Sequence, residues 1–118
     1  MTGVESWQPD ARLDALARTV RGRIAAPAGA AVVDDSGRVH ASAEVTLAGR
    51  RYGALLLACA QAAGAGAGSL RAGIVWGPPP GAEDLTAASA LVEPGGELVI
   101  GVRDDRGELV ARTVLRGA

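Results

Sequence analysis

The chain is expected to fold as a three-layer α/β domain, with a mixed sheet between helices, and three observations lead there. Residues 53–63, GALLLACAQAA, carry only one polar side chain after Gly53, that of Gln61. A helix apolar on all sides has to be covered by the rest of its domain or by a neighbouring subunit, so this run is read as a buried central helix. After the turn Asp34-Asp35-Ser36-Gly37, Val39, Ala41, Ala43, Val45 and Leu47 alternate with Arg38, His40, Ser42, Glu44 and Thr46. That is the period of a strand with one covered face. The elements then read α β β α β α β β, and helices long enough to cross between strands imply a mixed sheet sandwiched between helices.

Composition bounds the rest. A length of 118 residues with 48% hydrophobic side chains suits one domain, residues 1–118, with a real core. Aromatics make up 3% and Phe is absent, so the core must be packed from Ala, Val, Leu and Ile. Burial against a second subunit would help such a core. All the basic residues are Arg, which beside the abundant Ala and Gly reads as the bias of a GC-rich genome and carries no function. A formal net charge of −1 argues against nucleic acid or an anionic membrane as partner. The single Cys excludes an internal disulfide and suits a reducing compartment. The central run falls well short of the ~20 apolar residues that cross a bilayer. Met1 to Gln8 contains no apolar signal core, so the expectation is a cytoplasmic protein.

In order, the first helix is expected over residues 9–26, with Pro9 at its first position and Asp10 in its first turn. Leu13, Leu16, Ala17, Val20 and Ile24 share one stripe, and Pro27 and Gly29 end the helix. Residues 30–33 form a short apolar strand that pairs with the alternating segment as a hairpin. A second hairpin follows near the C-terminus: residues 98–102, the turn 103–107, then 108–115. Asp-Asp-x-Gly-x-(Val/Leu)-x-Ala occurs in both, at 34–41 and 104–111, so Gly37 and Gly107 are expected in left-handed turn positions. Between the hairpins lie the central helix, a glycine-rich loop, a buried strand at 72–76, a proline cluster and a helix at about 83–92.

These elements, with the hairpin AAVVDDSGRVHASAEV, the segment RRYGALLLACAQAA and the strand AGIVWG, resemble the small cytidine deaminases over residues 30–76. More closely the chain is similar to a group of actinobacterial cytidine deaminase-like proteins that keep the scaffold and lose the zinc motif. The resemblance implies a cytidine deaminase-like fold and provides a checklist. In that chemistry a zinc held by a His or Cys at a helix start and by two Cys of Pro-Cys-x-x-Cys activates water, and a Glu two residues after the first ligand moves protons. Matching CAQAA to the family's Cys-Ala-Glu-x-Ala puts Cys59 at the first ligand and Gln61 at the proton shuttle. An ungapped register from Val45 puts Leu55 and Leu57 there instead. Neither supplies the acid. Where Pro-Cys-x-x-Cys should open the next helix stands Gly77-Pro78-Pro79-Pro80-Gly81-Ala82-Glu83-Asp84, without a Cys. The family's Asn-x-Glu that holds the ribose falls at Glu44 and Thr46. No zinc and no other cofactor is therefore expected, and no catalytic residue is assigned.

The remaining features have plain readings. Gly64, Gly66 and Gly68 follow a helix and precede a strand, the reverse of a dinucleotide loop, and form a connector. Arg50 and Arg51 precede the central helix, whose free N–H groups also attract anions, so with Glu44 they are the candidate ligand-binding residues. His40 reads as a surface or interface histidine, Cys59 as a small hydrophobe, and Trp7 and Trp76 as packing groups. Three functions fit: a silent deaminase-fold protein that works by oligomerising or by binding a partner or small ligand; a divergent deaminase; or a roadblock- or longin-like interaction module with an antiparallel sheet. The first is preferred, as a homo-oligomer, dimer or tetramer, that joins through Leu56, Ala60 and Ala63.

Overall fold

A computed structural model describes residues 8–118. Helix α1 (Ala11–Arg23) leads into strands β1 (Gly29–Asp34) and β2 (Val39–Ala43), then a small hairpin of β3 (Val45–Leu47) and β4 (Arg50–Tyr52). Helix α2 (Ala54–Gly64), strand β5 (Leu70–Trp76), helix α3 (Ala82–Ser89), and strands β6 (Glu97–Arg103) and β7 (Leu109–Arg116) complete the chain. The main sheet has the order β2-β1-β5-β6-β7. β5 and β6 run parallel, with Ile74 opposite Gly101, while every other pair in the sheet is antiparallel. The parallel pair, made possible by α3 crossing between the two strands, removes the roadblock- or longin-like alternative, whose sheet is antiparallel throughout.

Alternation along β1 divides the core. Ala30 and Val32 face α2 and α3 together with Val75, Leu98 and Ile100. Ala31 and Val33 face Leu13 and Ala17 of α1 together with Ile74. The sheet is therefore the middle of three layers, as the element order implies.

Several local expectations are corrected. α1 starts at Ala11 and not at Pro9, because the Asp10 carboxylate accepts the Arg12 amide at 2.8 Å and so serves as the N-cap. It stops at Arg23, ahead of Pro27, where Ala25 turns left-handed at φ 50° and the Ala26 amide reaches back to the Arg21 carbonyl. The stripe is narrower than its periodicity suggests: Leu13 and Ala17 are buried, whereas Leu16 and Ile24 are exposed. The alternating segment is not one strand. Pairing with β1 closes with the Glu44 amide on the Ala28 carbonyl, and beyond it the chain turns away into the β3–β4 hairpin, leaving Leu47 at the surface. Ala48 and Gly49, both at positive φ (52° and 78°), close that hairpin as a type I′ turn requires. α3 ends at Ser89, sooner than 92.

The central helix is also less enclosed than its composition suggests. Ala54, Leu55, Ala58, Cys59 and Ala62 are buried against the sheet and α3, but Leu56 and Leu57 are half-buried and Ala60, Gln61 and Ala63 are exposed. One chain has too few elements to surround it.

Candidate functional site

The N-termini of α2 and α3 converge on a cleft of about 280 Å³, walled by Val75, the three prolines 78–80, Leu55, Glu44, Arg51 and Asp84. Each wall has a local cause. The chain leaves β2 at Ala43 with the Glu44 amide bonded to the Ala28 carbonyl, which sets Glu44 at the cleft edge. Arg51 arrives on β4, the return strand of the small hairpin, and its guanidinium donates to Glu44 Oε1 at 3.1 Å. The Glu44 side chain is 12% exposed and that of Arg51 71%, so the carboxylate is the inner member of the pair. Prolines rigidify the link from β5 to α3 and offer no N–H to the cleft.

Arg50 is not part of this cluster. It extends to the outside, 3.3 Å from Glu83 and over the Tyr52 ring at 4.9 Å. Of the three candidate ligand-binding residues the structure thus brings together Glu44 and Arg51.

Cys59 and Gln61 both sit away from the cleft, in the second half of α2. Cys59 faces α3 beside Ala87, Ala90 and Leu91. Its thiol is pushed up to about 12 by burial, with the charge of Asp84 adding to the effect, so it stays protonated and unreactive at neutral pH. Gln61 donates its side-chain amide to the Ala41 carbonyl of β2 at 2.9 Å. At the start of α2, where the ungapped register places the first zinc ligand, the cleft wall is Leu55, 1% exposed.

Two residues that sequence reasoning missed do the polar work. Asp84, in the first turn of α3, accepts the Leu56 amide of α2 at 2.9 Å and the Gly81 amide of its own helix at 3.2 Å. The spacing Gly81-x-x-Asp84, half of a capping box, was its signal. Asp34 is wholly buried and binds Ser36 Oγ at 2.6 Å, the Ser36 and Arg38 amides at 2.9 and 3.0 Å, and His40 Nε2 at 2.8 Å. These bonds, that to His40 foremost and that to Ser36 next, hold its carboxyl far below the usual carboxylate range. His40 is accordingly not a surface group: its side chain is 11% exposed and locks the first hairpin to Asp34. An Asp two residues before a Ser in a turn was the legible sign of such a knot.

Trp76 packs as expected, with its Nε1 donating to Asp14 Oδ1 at 2.6 Å; Arg103 joins the same carboxylate at 2.8 Å. Trp7 lies outside the described residues.

A catalytic zinc takes three protein ligands from Cys, His, Asp or Glu. Among the described residues no three such side chains converge. Within the cleft Glu44 is paired with Arg51, Asp84 is taken by two backbone amides, and the other lining side chains, Leu55, Val75 and the prolines among them, are apolar. This donor set does not fit the ion.

No curated protein matches the chain. Among solved structures it is similar to the cytidine deaminase from Burkholderia pseudomallei, with a TM-score of 0.73 and 22% identity, over 92% of this chain and 93% of that one. It is also similar to the cytidine deaminase from Mycobacterium leprae, with a TM-score of 0.65 and 16% identity, over 88% and 91% of the two chains. At such identities the likeness concerns the fold. A family model described as cytidine deaminase-like matches residues 7–107, and the chain belongs to that family.

Proposed function

We propose that this chain is a non-catalytic member of the cytidine deaminase-like family, acting by assembly with copies of itself or by binding a partner or small ligand. The observation that carries the reading is the composition of the cleft: an aliphatic side chain at the helix start, an ion-paired glutamate and a capped aspartate stand where metal ligands and a proton shuttle would be needed. Gln61, an amide, has no proton to exchange at neutral pH and points to β2.

Self-assembly is supported by the open side of α2. Leu56, Ala60 and Ala63 form with Ala87, Ala90 and Leu91 of α3 a groove of about 230 Å³ that is almost wholly apolar. A symmetric homo-oligomer, dimer or tetramer, would cover that groove with the same groove of a second copy. Kinship with the actinobacterial proteins that have lost the zinc motif, and a cytoplasmic home for a chain whose only cysteine is a buried free thiol, belong to the same proposal. Among the described residues no helix is long and apolar enough to cross a membrane.

Elemental analysis of protein purified without chelator, together with an assay of uridine formation from cytidine, tests the proposal. The expected result is no stoichiometric zinc and no turnover. One zinc per chain with turnover would overturn it and return the chain to the divergent deaminases.

A further inference from the structure

The start of α2 lacks every ordinary means of satisfying its amides. Its N-cap is Gly53, which has no side chain to offer, and no acidic residue stands in its first turn. The positive end of the helix dipole and the free N–H groups there call for an anion. The anion comes from the next helix: Asp84 Oδ1 accepts the Leu56 amide at 2.9 Å while Oδ2 accepts the Gly81 amide at 3.2 Å. One carboxylate therefore joins the first turns of α2 and α3. Gly53 is fitted to it, since a Cβ at that position would stand within 2.7 Å of Asp84 Cγ. Moreover, Pro80-Gly81-Ala82-Glu83-Asp84 has the spacing of Pro-Cys-x-x-Cys, which sets Gly81 and Asp84 at the positions of the two missing thiolates.

We infer that Asp84 has taken over the structural half of the family's metal centre: its carboxylate, seated on Gly53, is the clip that holds the two helix starts together, and the cleft assembles without an ion. The alternative is that Asp84 merely caps its own helix and that its contact with α2 is incidental. The inference rests on the zinc-free reading above, and zinc content tests that reading separately.

The test is a double-mutant cycle of Gly53→Ala and Asp84→Ala, read by thermal melting with and without a chelator, together with hydrogen exchange at the Leu56 and Gly81 amides. Breaking a charge-assisted bond should speed exchange at Leu56 as well as at Gly81 by about tenfold or more. Gly53→Ala should lower the melting midpoint of the parent by about 4 °C or more. In the Asp84→Ala background, where no carboxylate remains to be displaced, it should cost less than half as much. Asp84→Asn keeps one carbonyl oxygen for the Leu56 amide and should recover part of the loss; if Asp84→Ala does not fold, faster exchange at both Leu56 and Gly81 in Asp84→Asn than in the parent carries the test instead. The parent should melt at the same temperature in chelator. Losses that simply add, or exchange that rises at Gly81 and not at Leu56, in zinc-free protein would overturn the clip and leave the non-catalytic reading standing. Bound zinc with a chelator-dependent midpoint would overturn both.

Discussion

Gly37 and Gly107 close hairpins built from the same string of residues and hold nearly the same backbone, at φ 87° and 83°, yet their surroundings differ. A Cβ on Gly37 would meet nothing within 4 Å, whereas one on Gly107 would stand 3.1 Å from the Trp76 ring. That ring cannot move freely. Its Nε1 is bonded to Asp14 of α1, and Arg103, bonded to the same carboxylate, also donates to the Gly107 carbonyl at 2.8 Å. Valine at either position suffers the left-handed backbone, a cost of about 1–2 kcal/mol. At Gly107 the displaced indole adds an overpacking cost of about 1–3 kcal/mol. At about 4 °C per kcal/mol for a domain of this size, Gly37→Val should melt about 4–8 °C below the parent and Gly107→Val about 8–20 °C below it. Thermal melts of the two variants and the parent decide the matter. Equal losses would mean that Trp76 yields without cost, and a Gly107→Val protein as stable as the parent would refute the turn argument itself.

Two further predictions concern acid and assembly. Because the folded-state pKa of Asp34 is depressed, the unfolded chain binds the proton first; its stabilisation is therefore complete above about pH 4 and declines as pH falls below that value toward the folded pKa. Asp34→Asn should be less stable than the parent at pH 7 and lose less on acidification, and parallel slopes in melts from pH 7 to about pH 2 would contradict this. Ala60 is exposed in the single chain, so Ala60→Arg should convert an oligomer to a folded monomer without unfolding it. Light scattering at micromolar concentration reads the outcome, and a wild-type chain that is already a stable monomer would rule out self-assembly through α2.

Local chemistry was legible along the chain. The turn glycines, the central helix, the buried strand ending at Trp76 and the mixed, layered architecture follow from periodicity and from the conformational limits of single residues, which need no distant partner. The loss of Pro-Cys-x-x-Cys was legible too, because a zinc ligand is either in the sequence or not. Long-range pairing was not. That Asp84 would reach across 28 residues to the Leu56 amide depends on how two helix starts meet, and nothing near either residue encodes the meeting. Asp34 and Ser36 showed a local turn knot, but not that the hairpin would set His40 against Asp34, and the alternation through Leu47 gave no sign that the segment would leave β1 after Ala43 and pair instead with β4. The same holds for α2. Its composition asks for cover on every side, but how much of that cover one chain supplies is a matter of packing: the sheet and α3 bury Leu55 and Ala58, and Ala60 and Ala63 stay in the open.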